Sequence, residues 1–137
     1  MMGSDGLEFH HVGVACTDIR AEACHMTSLG YSPEGVEFSD ARQGVRGLFL
    51  GGQSPRLELL QPLDGTAAGV LTPWLKNDVK MYHIGYKVRA LVGAIERMRA
   101  CGGKLIVPPV PAVAFAGREI AFVMLPNRLL VELISAQ

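Results

Sequence analysis

The chain has 137 residues, of which 49% are hydrophobic, and its 13 Lys and Arg residues balance 13 Asp and Glu residues at a net charge of zero. This composition is typical of a globular chain that forms one domain or two small modules with a shared core. Because the chain has neither a basic run nor a long apolar window, nucleic acid and membranes are not expected partners. We therefore expect a small-molecule partner.

The N-terminal residues and the cysteines both indicate a cytoplasmic protein. Residues 1–6 lack the basic region and the apolar run of a signal peptide. The three cysteines do not have the spacing of a zinc knuckle or of a redox pair. We expect all three to be reduced thiols in the core, as free cysteines usually are. They are Cys16, Cys24 and Cys101.

The first half of the chain is predicted to run strand, helix, strand, strand, strand. After a strand over residues 8–16, Thr17 and Asp18 offer an N-cap to a helix that Gly30 ends. Three more strands are predicted over residues 31–38, 44–50 and 55–60. The last of them is apolar on both faces apart from Glu58.

The second half repeats this order after a connector over residues 63–79, which contains glycine, proline and a short helix around residues 74–77. A strand over residues 80–88 leads to a helix with apolar residues at three- and four-residue spacing, closed by Gly102. Strands are then predicted over residues 104–107, 112–115, 119–124 and 129–134.

The repetition can be checked on two landmarks. His11 and His83 each stand two residues before a glycine, 72 positions apart (83 − 11). Glu58 and Glu132 each stand in an apolar strand, 47 and 49 positions after those histidines (58 − 11 and 132 − 83). Matching landmarks in matching order indicate a duplicated unit. The sequence therefore predicts an α+β fold of two βαβββ modules within one structural domain, at residues 7–62 and 80–136.

The four landmark side chains have the chemistry of a metal site. An ionised carboxylate between leucines or other apolar residues is costly to bury unless a positive charge compensates it. If the modules are related by an approximate two-fold axis, two neutral imidazoles and two carboxylates converge, and a divalent cation balances their charge. This donor set suits an open Ni, Co, Mn, Fe or Zn centre better than a closed structural zinc site. The predicted ligands are His11, Glu58, His83 and Glu132.

Other interpretations of these residues remain open at this point. A histidine in a strand is often a hydrogen-bonded core residue, and an arginine can neutralise a buried glutamate. The candidate arginines are Arg46, Arg56 and Arg118. His10, on the strand face opposite His11, and His25, on the first predicted helix, are not predicted to be ligands.

With these residues the sequence resembles the vicinal oxygen chelate superfamily, which includes glyoxalase I, methylmalonyl-CoA epimerase, fosfomycin-resistance enzymes and extradiol dioxygenases. The resemblance extends over residues 9–136 and is nearest to the epimerase branch. It is carried by residues 11–15, 43–46, 57–63, 83–84 and 130–133. The resemblance implies a cup-shaped mixed sheet of the glyoxalase-like fold, with a divalent metal on its floor that chelates two oxygens of the substrate.

The activity that the resemblance implies is that of a metal-dependent isomerase or epimerase, acting as a homodimer on an acyl-CoA-like thioester or a ketone. Glu132 would be both a ligand and the catalytic base that takes the proton next to the metal-bound carbonyl. In the epimerases a second carboxylate follows the Gln-Gly-Val-Arg segment, but here that position is Gly47, which cannot move a proton. Lys87, predicted on the same strand face as His83, is a further candidate acid or base.

Two alternative functions follow from the same resemblance. One is a glyoxalase I-like lactoylglutathione lyase, which the continuation after Leu60 does not favour. The other is a non-catalytic protein that binds and sequesters a small molecule, which the missing carboxylate at Gly47 favours. A dioxygenase is disfavoured because such enzymes use two histidines and one carboxylate.

Overall fold

A computed structural model describes residues 6–63 and 69–136 of the chain. The first half contains β1 (Leu7–Ala15), α1 (Ile19–Thr27), β2 (Ser32–Asp40), β3 (Val45–Gly51) and β4 (Leu57–Pro62). The second half contains α2 (Thr72–Lys76), β5 (Met81–Val88), α3 (Leu91–Ala100), β6 (Lys104–Pro111), β7 (Glu119–Met124) and β8 (Leu130–Ser135). The predicted α+β fold, in which strand, helix and three strands occur twice in a mixed sheet, is confirmed.

The chain divides into two compact units, residues 11–82 and residues 83 onward together with the N-terminal stretch up to His10. The division thus falls inside β1 and at the third residue of β5. The module boundaries predicted at residues 7–62 and 80–136 stay a prediction. Of the predicted connector 63–79, residues 64–68 lie outside the described part of the chain.

In the unit of residues 11–82 the strands lie in the order β2-β3-β4-β1. β1 is parallel to β4, with Gly13 opposite Glu58, and β3 is antiparallel to both of its neighbours. Alternation along each strand gives this sheet two faces. One face packs against α1 through a buried core of Val14, Cys16, Ile19, Tyr31, Leu48, Leu50, Leu57 and Leu59.

Helix α1 begins after Asp18, as its sequence predicts, and ends at Thr27, two residues before the predicted end at about Leu29. The Asp18 carboxylate accepts hydrogen bonds from the backbone N–H groups of Arg20 and Ala21 at 3.0 and 3.2 Å, which satisfies two of the donors that a helix N-terminus leaves open. Past the C-terminus, Gly30 adopts a φ of 95°, a conformation that costs glycine little. Ile19, at the first position, is fully buried on the sheet side.

The second unit repeats this arrangement in the strand order β5-β8-β7-β6. β5 is parallel to β8, with Gly85 opposite Glu132, and β7 is antiparallel to both of its neighbours. Helix α3 covers one face of this sheet over a core of Val88, Leu91, Ala94, Ile95, Ala121, Val123, Val131 and Leu133. None of the helices in the described residues has the length and apolar character of a bilayer span.

Three sequence-based predictions about the periphery were wrong. Residues 112–115 are not a strand, since Val113–Phe115 form a short 3₁₀ helix that ends at Ala116 with a φ of 57°. Strand β6 is longer than predicted and contains three prolines, which an edge strand tolerates because one side of it makes no ladder hydrogen bonds. Cys24 and Cys101 are exposed and only Cys16 is buried. Cys24 points away from the sheet on α1, and Cys101 is the C-cap of α3.

Candidate functional site

Strands β1 and β4 bring His11 and Glu58 together, a pair that we call the first half-site. Gly13 lies opposite Glu58 in the parallel ladder, and His11 lies two residues before Gly13, so both side chains are on the same sheet face. His11 Nε2 is 3.0 Å from Glu58 Oε1. The two side chains lie on the face that does not pack against α1, yet His11 is 0% and Glu58 4% exposed.

Strands β5 and β8 bring together His83 and Glu132, the second half-site, by the same register. Gly85 lies opposite Glu132, two residues after His83. His83 Nε2 is 3.2 Å from Glu132 Oε1, and the residues are 1% and 3% exposed. Each glycine lies on the same sheet face as its histidine, as the spacing predicted.

A phenylalanine lies beside the histidine in each half-site, which the sequence analysis missed. Phe49 is opposite Glu58 on β3, and its ring meets that of His11 edge-on at 5.6 Å and 83°. Phe122 is opposite Glu132 on β7, and its ring meets that of His83 at 5.2 Å and 80°. The available signal was a phenylalanine nine or ten positions before each glutamate (58 − 49 and 132 − 122). These rings limit how each imidazole can turn.

The candidate arginine partners have other positions. Arg56 donates from Nε to Glu34 Oε1 at 2.9 Å. Arg46 lies three residues from Phe49 on β3, on the opposite sheet face from Glu58. Arg118 is exposed in the turn before β7. These positions weaken the interpretation in which an arginine neutralises either buried glutamate.

The donor atoms of each half-site fit a divalent metal. One imidazole nitrogen and one carboxylate oxygen are ligand types that suit Zn, Co, Ni, Mn and Fe. Two ligand atoms that bind an ion at right angles, each about 2.1 Å from it, lie about 3.0 Å apart. The observed separations of 3.0 and 3.2 Å match this spacing. A direct imidazole-to-carboxylate hydrogen bond has a similar length, so the same side-chain positions suit each pair with or without an ion.

Gly47 lies on β3 on the same face as Phe49 and Glu58, opposite Phe38 of β2 and Leu60 of β4. A Cβ atom added at Gly47 would lie 2.7 and 2.8 Å from Cε1 and Cε2 of the Phe38 ring. Real Cβ atoms do not approach other atoms so closely. The space that a side chain at position 47 needs is therefore occupied by an aromatic ring from the neighbouring strand.

The remaining lysine and histidines considered in the sequence analysis lie on β5, on β1 and on α1. Lys87 lies on β5 four residues after His83, on the same face, and is half-buried. His10 is half-buried, and its ring meets that of Phe115 edge-on at 5.4 Å. His25 is exposed on α1.

Known proteins match the chain over most of its length. The profile of a family described as the Glyoxalase/Bleomycin resistance protein/Dioxygenase superfamily matches residues 10–122. The ethylmalonyl-CoA/methylmalonyl-CoA epimerase of Cereibacter sphaeroides is 26% identical over 114 residues, or 82% of this chain and 84% of that protein.

Solved structures of methylmalonyl-CoA epimerases share the fold. The enzyme from Mycobacterium tuberculosis superposes with a TM-score of 0.80 at 22% identity, over 100% of this chain and 93% of that one. A Streptomyces coelicolor variant in complex with 2-nitronate-propionyl-CoA superposes with a TM-score of 0.74 at 22% identity, over 93% and 95% of the two chains. These superpositions show that the chain has the glyoxalase-like fold.

Proposed function

Because the chain belongs to the Glyoxalase/Bleomycin resistance protein/Dioxygenase superfamily, we propose that it is a divalent-metal-dependent isomerase or epimerase of acyl-CoA-like thioesters. The observation that carries this proposal is the pair of half-sites, each with a buried imidazole beside a buried carboxylate. The name of the Cereibacter sphaeroides relative and the ligand of the Streptomyces coelicolor structure support a thioester with an acidic carbon next to its carbonyl.

In this proposal one ion of Co, Ni, Zn, Mn or Fe is held by all four half-site residues. The two carboxylates and the divalent cation sum to a net charge of zero (2 − 2), which offsets the cost of burying both glutamates. When bound, the ion stabilises the negative charge that develops on the carbonyl oxygen. The proposed ligands are His11, Glu58, His83 and Glu132.

The proton is proposed to move through Glu132. Its carboxylate would accept the proton from the carbon next to the carbonyl and return it to that carbon. Gly47 has no side chain, and the Phe38 ring occupies the space that one would need. Position 47 therefore supplies no carboxylate that could act as a second base. In the alternative, two-sided route Glu132 keeps the proton that it accepts, and Lys87, four residues after His83 on the same face, donates the replacement proton from the other side of that carbon.

Metal analysis is the first test of the proposal. We expect purified protein to contain close to one equivalent of a divalent transition metal, or to take one up on titration. We then expect solvent deuterium to enter 2-methylmalonyl-CoA at the carbon between its carbonyl groups, as read by mass spectrometry. Chelation should abolish the exchange and re-addition of metal should restore it. Protein that takes up no metal would rule out this mechanism.

A second candidate function is a binding protein that does not turn its ligand over. The observation that favours it is the glycine at position 47, with the Phe38 ring in the space of a side chain. A second carboxylate, which the two-base epimerase mechanism needs for proton transfer, is therefore missing. Binding of 2-methylmalonyl-CoA to the metal-loaded protein without any deuterium exchange would favour this candidate. A cytoplasmic homodimer stays the sequence-based prediction for either function.

A further inference from the structure

The ring of Phe38 packs directly on Gly47 and occupies the space that a side chain at position 47 would need. Strand β2 is at the edge of its sheet, and Phe38 is opposite Gly47 on β3. Its ring atoms lie where a Cβ atom of residue 47 would be. Gly47 is itself buried, whereas Phe38 is half-buried. The ring therefore covers the glycine with one side and keeps part of its surface accessible.

Phe38 continues a row of rings that begins at the first half-site. The Phe38 and Phe49 centroids are 6.0 Å apart with the planes tilted by 33°, and Phe49 meets His11 edge-on at 5.6 Å. The register places both phenylalanines on the face of Glu58, away from the core under α1. We call Phe38 and Phe49 the aromatic wall.

We propose that the aromatic wall binds an apolar substituent of the substrate and that Phe38 determines which substituent is accepted. Both rings are half-buried and neither belongs to the helix-side core, so their exposed portions are available to a ligand. An alkyl or aryl group that covers these rings is removed from water, which favours its binding in proportion to its apolar area. The identity of the ligand in this inference rests on the proposed function. The packing of Phe38 on Gly47 is independent of that function.

The packing is tested by a double-mutant cycle on thermal stability. Gly47→Ala should lower the unfolding midpoint by roughly 3 to 10 °C, because the new methyl group must displace the Phe38 ring. In the Phe38→Ala background the same change should have little effect, since the ring is gone. Equal shifts in both backgrounds would show that the two residues do not compete for this space.

The role in specificity is tested on the metal-loaded protein with methylmalonyl-CoA, ethylmalonyl-CoA and benzylmalonyl-CoA. Phe38→Ala should lower kcat/KM for deuterium exchange on the benzyl compound relative to the methyl compound by about 10-fold or more, because the larger substituent loses more apolar contact when the ring is removed. Phe38→Leu should give an intermediate ratio. Val36→Ala, on the same strand at a residue 85% exposed, should leave the ratio unchanged.

The outcomes separate this inference from the proposed function. If wild-type protein exchanges the thioesters and Phe38→Ala lowers kcat/KM for all three equally, the proposed function stands and the specificity role is wrong. If wild-type protein neither binds nor exchanges any of them, the proposed function is wrong, and the substrate role of the wall is rejected with it. In either case the stability cycle still decides whether Phe38 fills the space at Gly47.

Discussion

The two half-sites share three groups and differ in a fourth. Each has a histidine, a glutamate and a phenylalanine in the same register. Two residues before Phe122 on β7 stands Ile120, whereas the same position before Phe49 is Gly47. Opposite them on the edge strands are Val110 and Phe38. The repeat thus kept its polar pair and its aromatic neighbour and changed how the adjacent space is filled.

The difference shows two solutions to one packing requirement. In the second unit the space beside Phe122 is filled by the side chain of Ile120, which is 0% exposed. In the first unit Gly47 contributes no side chain, and Phe38 reaches across from the edge strand. The edge residues Phe38 and Val110 are both half-buried, but the neighbouring phenylalanines differ, since Phe49 is half-buried and Phe122 is 3% exposed. At these positions it is therefore the first unit that has two adjacent rings with partly accessible surface, Phe38 and Phe49.

The largest expected effect distinguishes the two glutamates. With saturating metal, Glu132→Gln should lower deuterium exchange into 2-methylmalonyl-CoA about 10²- to 10⁴-fold, because an amide cannot act as a base. Glu58→Gln should mainly weaken metal binding and recover much of the exchange at high metal concentration. The readouts are exchange rate and metal affinity for both variants.

Glu22→Gln is the matched control for this pair, since Glu22 is also buried but forms an ion pair with Lys80 at 2.7 Å. It should change neither metal affinity nor exchange. Equal losses of exchange in Glu58→Gln and Glu132→Gln at saturating metal would remove the distinction between ligand and base.

The helices of the two units provide a smaller contrast. Asp18 caps α1, whereas the corresponding residue of α3 is Ala90, whose side chain makes no capping hydrogen bond. Asp18→Ala should lower the free energy of unfolding by about 0.5–2 kcal/mol, and Ala90→Asp should raise it by about 0.5–1 kcal/mol. Urea denaturation measures both. Asp18→Asn keeps an acceptor and should behave nearly as wild type; a loss as large as that of Asp18→Ala would contradict the capping role.

The smallest effect concerns Cys16, whose place in the second unit is taken by Val88, 72 positions on (88 − 16). Burial, with the charge of Glu22 as a smaller cause, raises the pKa of the Cys16 thiol from 9.0 to about 12. The folded chain therefore keeps a proton that the unfolded chain loses above pH 9.0, and this contribution to stability declines between pH 9.0 and about 12.

Cys16→Val removes this titration and makes the first unit resemble the second. From about pH 8 to about pH 10.5, the variant should lose less stability in urea denaturation than wild type. Other groups titrate in both proteins, so the difference between the two slopes is the measurement. Parallel slopes would show that the folded thiol is not shielded from ionisation.

Local sequence patterns were sufficient for most of the fold and for the candidate ligands. Helix α1 was predicted from its cap and its apolar spacing, and strand β7 was predicted at its observed bounds. His11 and Glu58 were chosen because a histidine two residues before a glycine and a glutamate in an apolar strand are visible without any structure. Strand alternation then placed each histidine on the same face as its glycine.

Positions that depend on contacts between strands could not be predicted in this way. Phe49 and Phe122 are ordinary strand residues in the sequence, and only the register places each of them against a histidine. Residues 112–115 have the composition of a strand, but the backbone turns there because Ala112 accepts from Phe115 and Gly117. Cys24 and Cys101 were wrongly expected to be buried because a preference for the core does not specify a helix face.

Gly47 is the clearest example of what the sequence determines and what only the tertiary structure determines. The sequence by itself determined that residue 47 has no side chain and cannot transfer a proton. Only the tertiary structure decided that the vacated space belongs to Phe38, nine positions earlier (47 − 38), because cross-strand neighbours are set by the ladder between β2 and β3 and by the irregularity within it. The local sequence gives the chemistry of each side chain, whereas the pairing of strands determines which side chains are in contact.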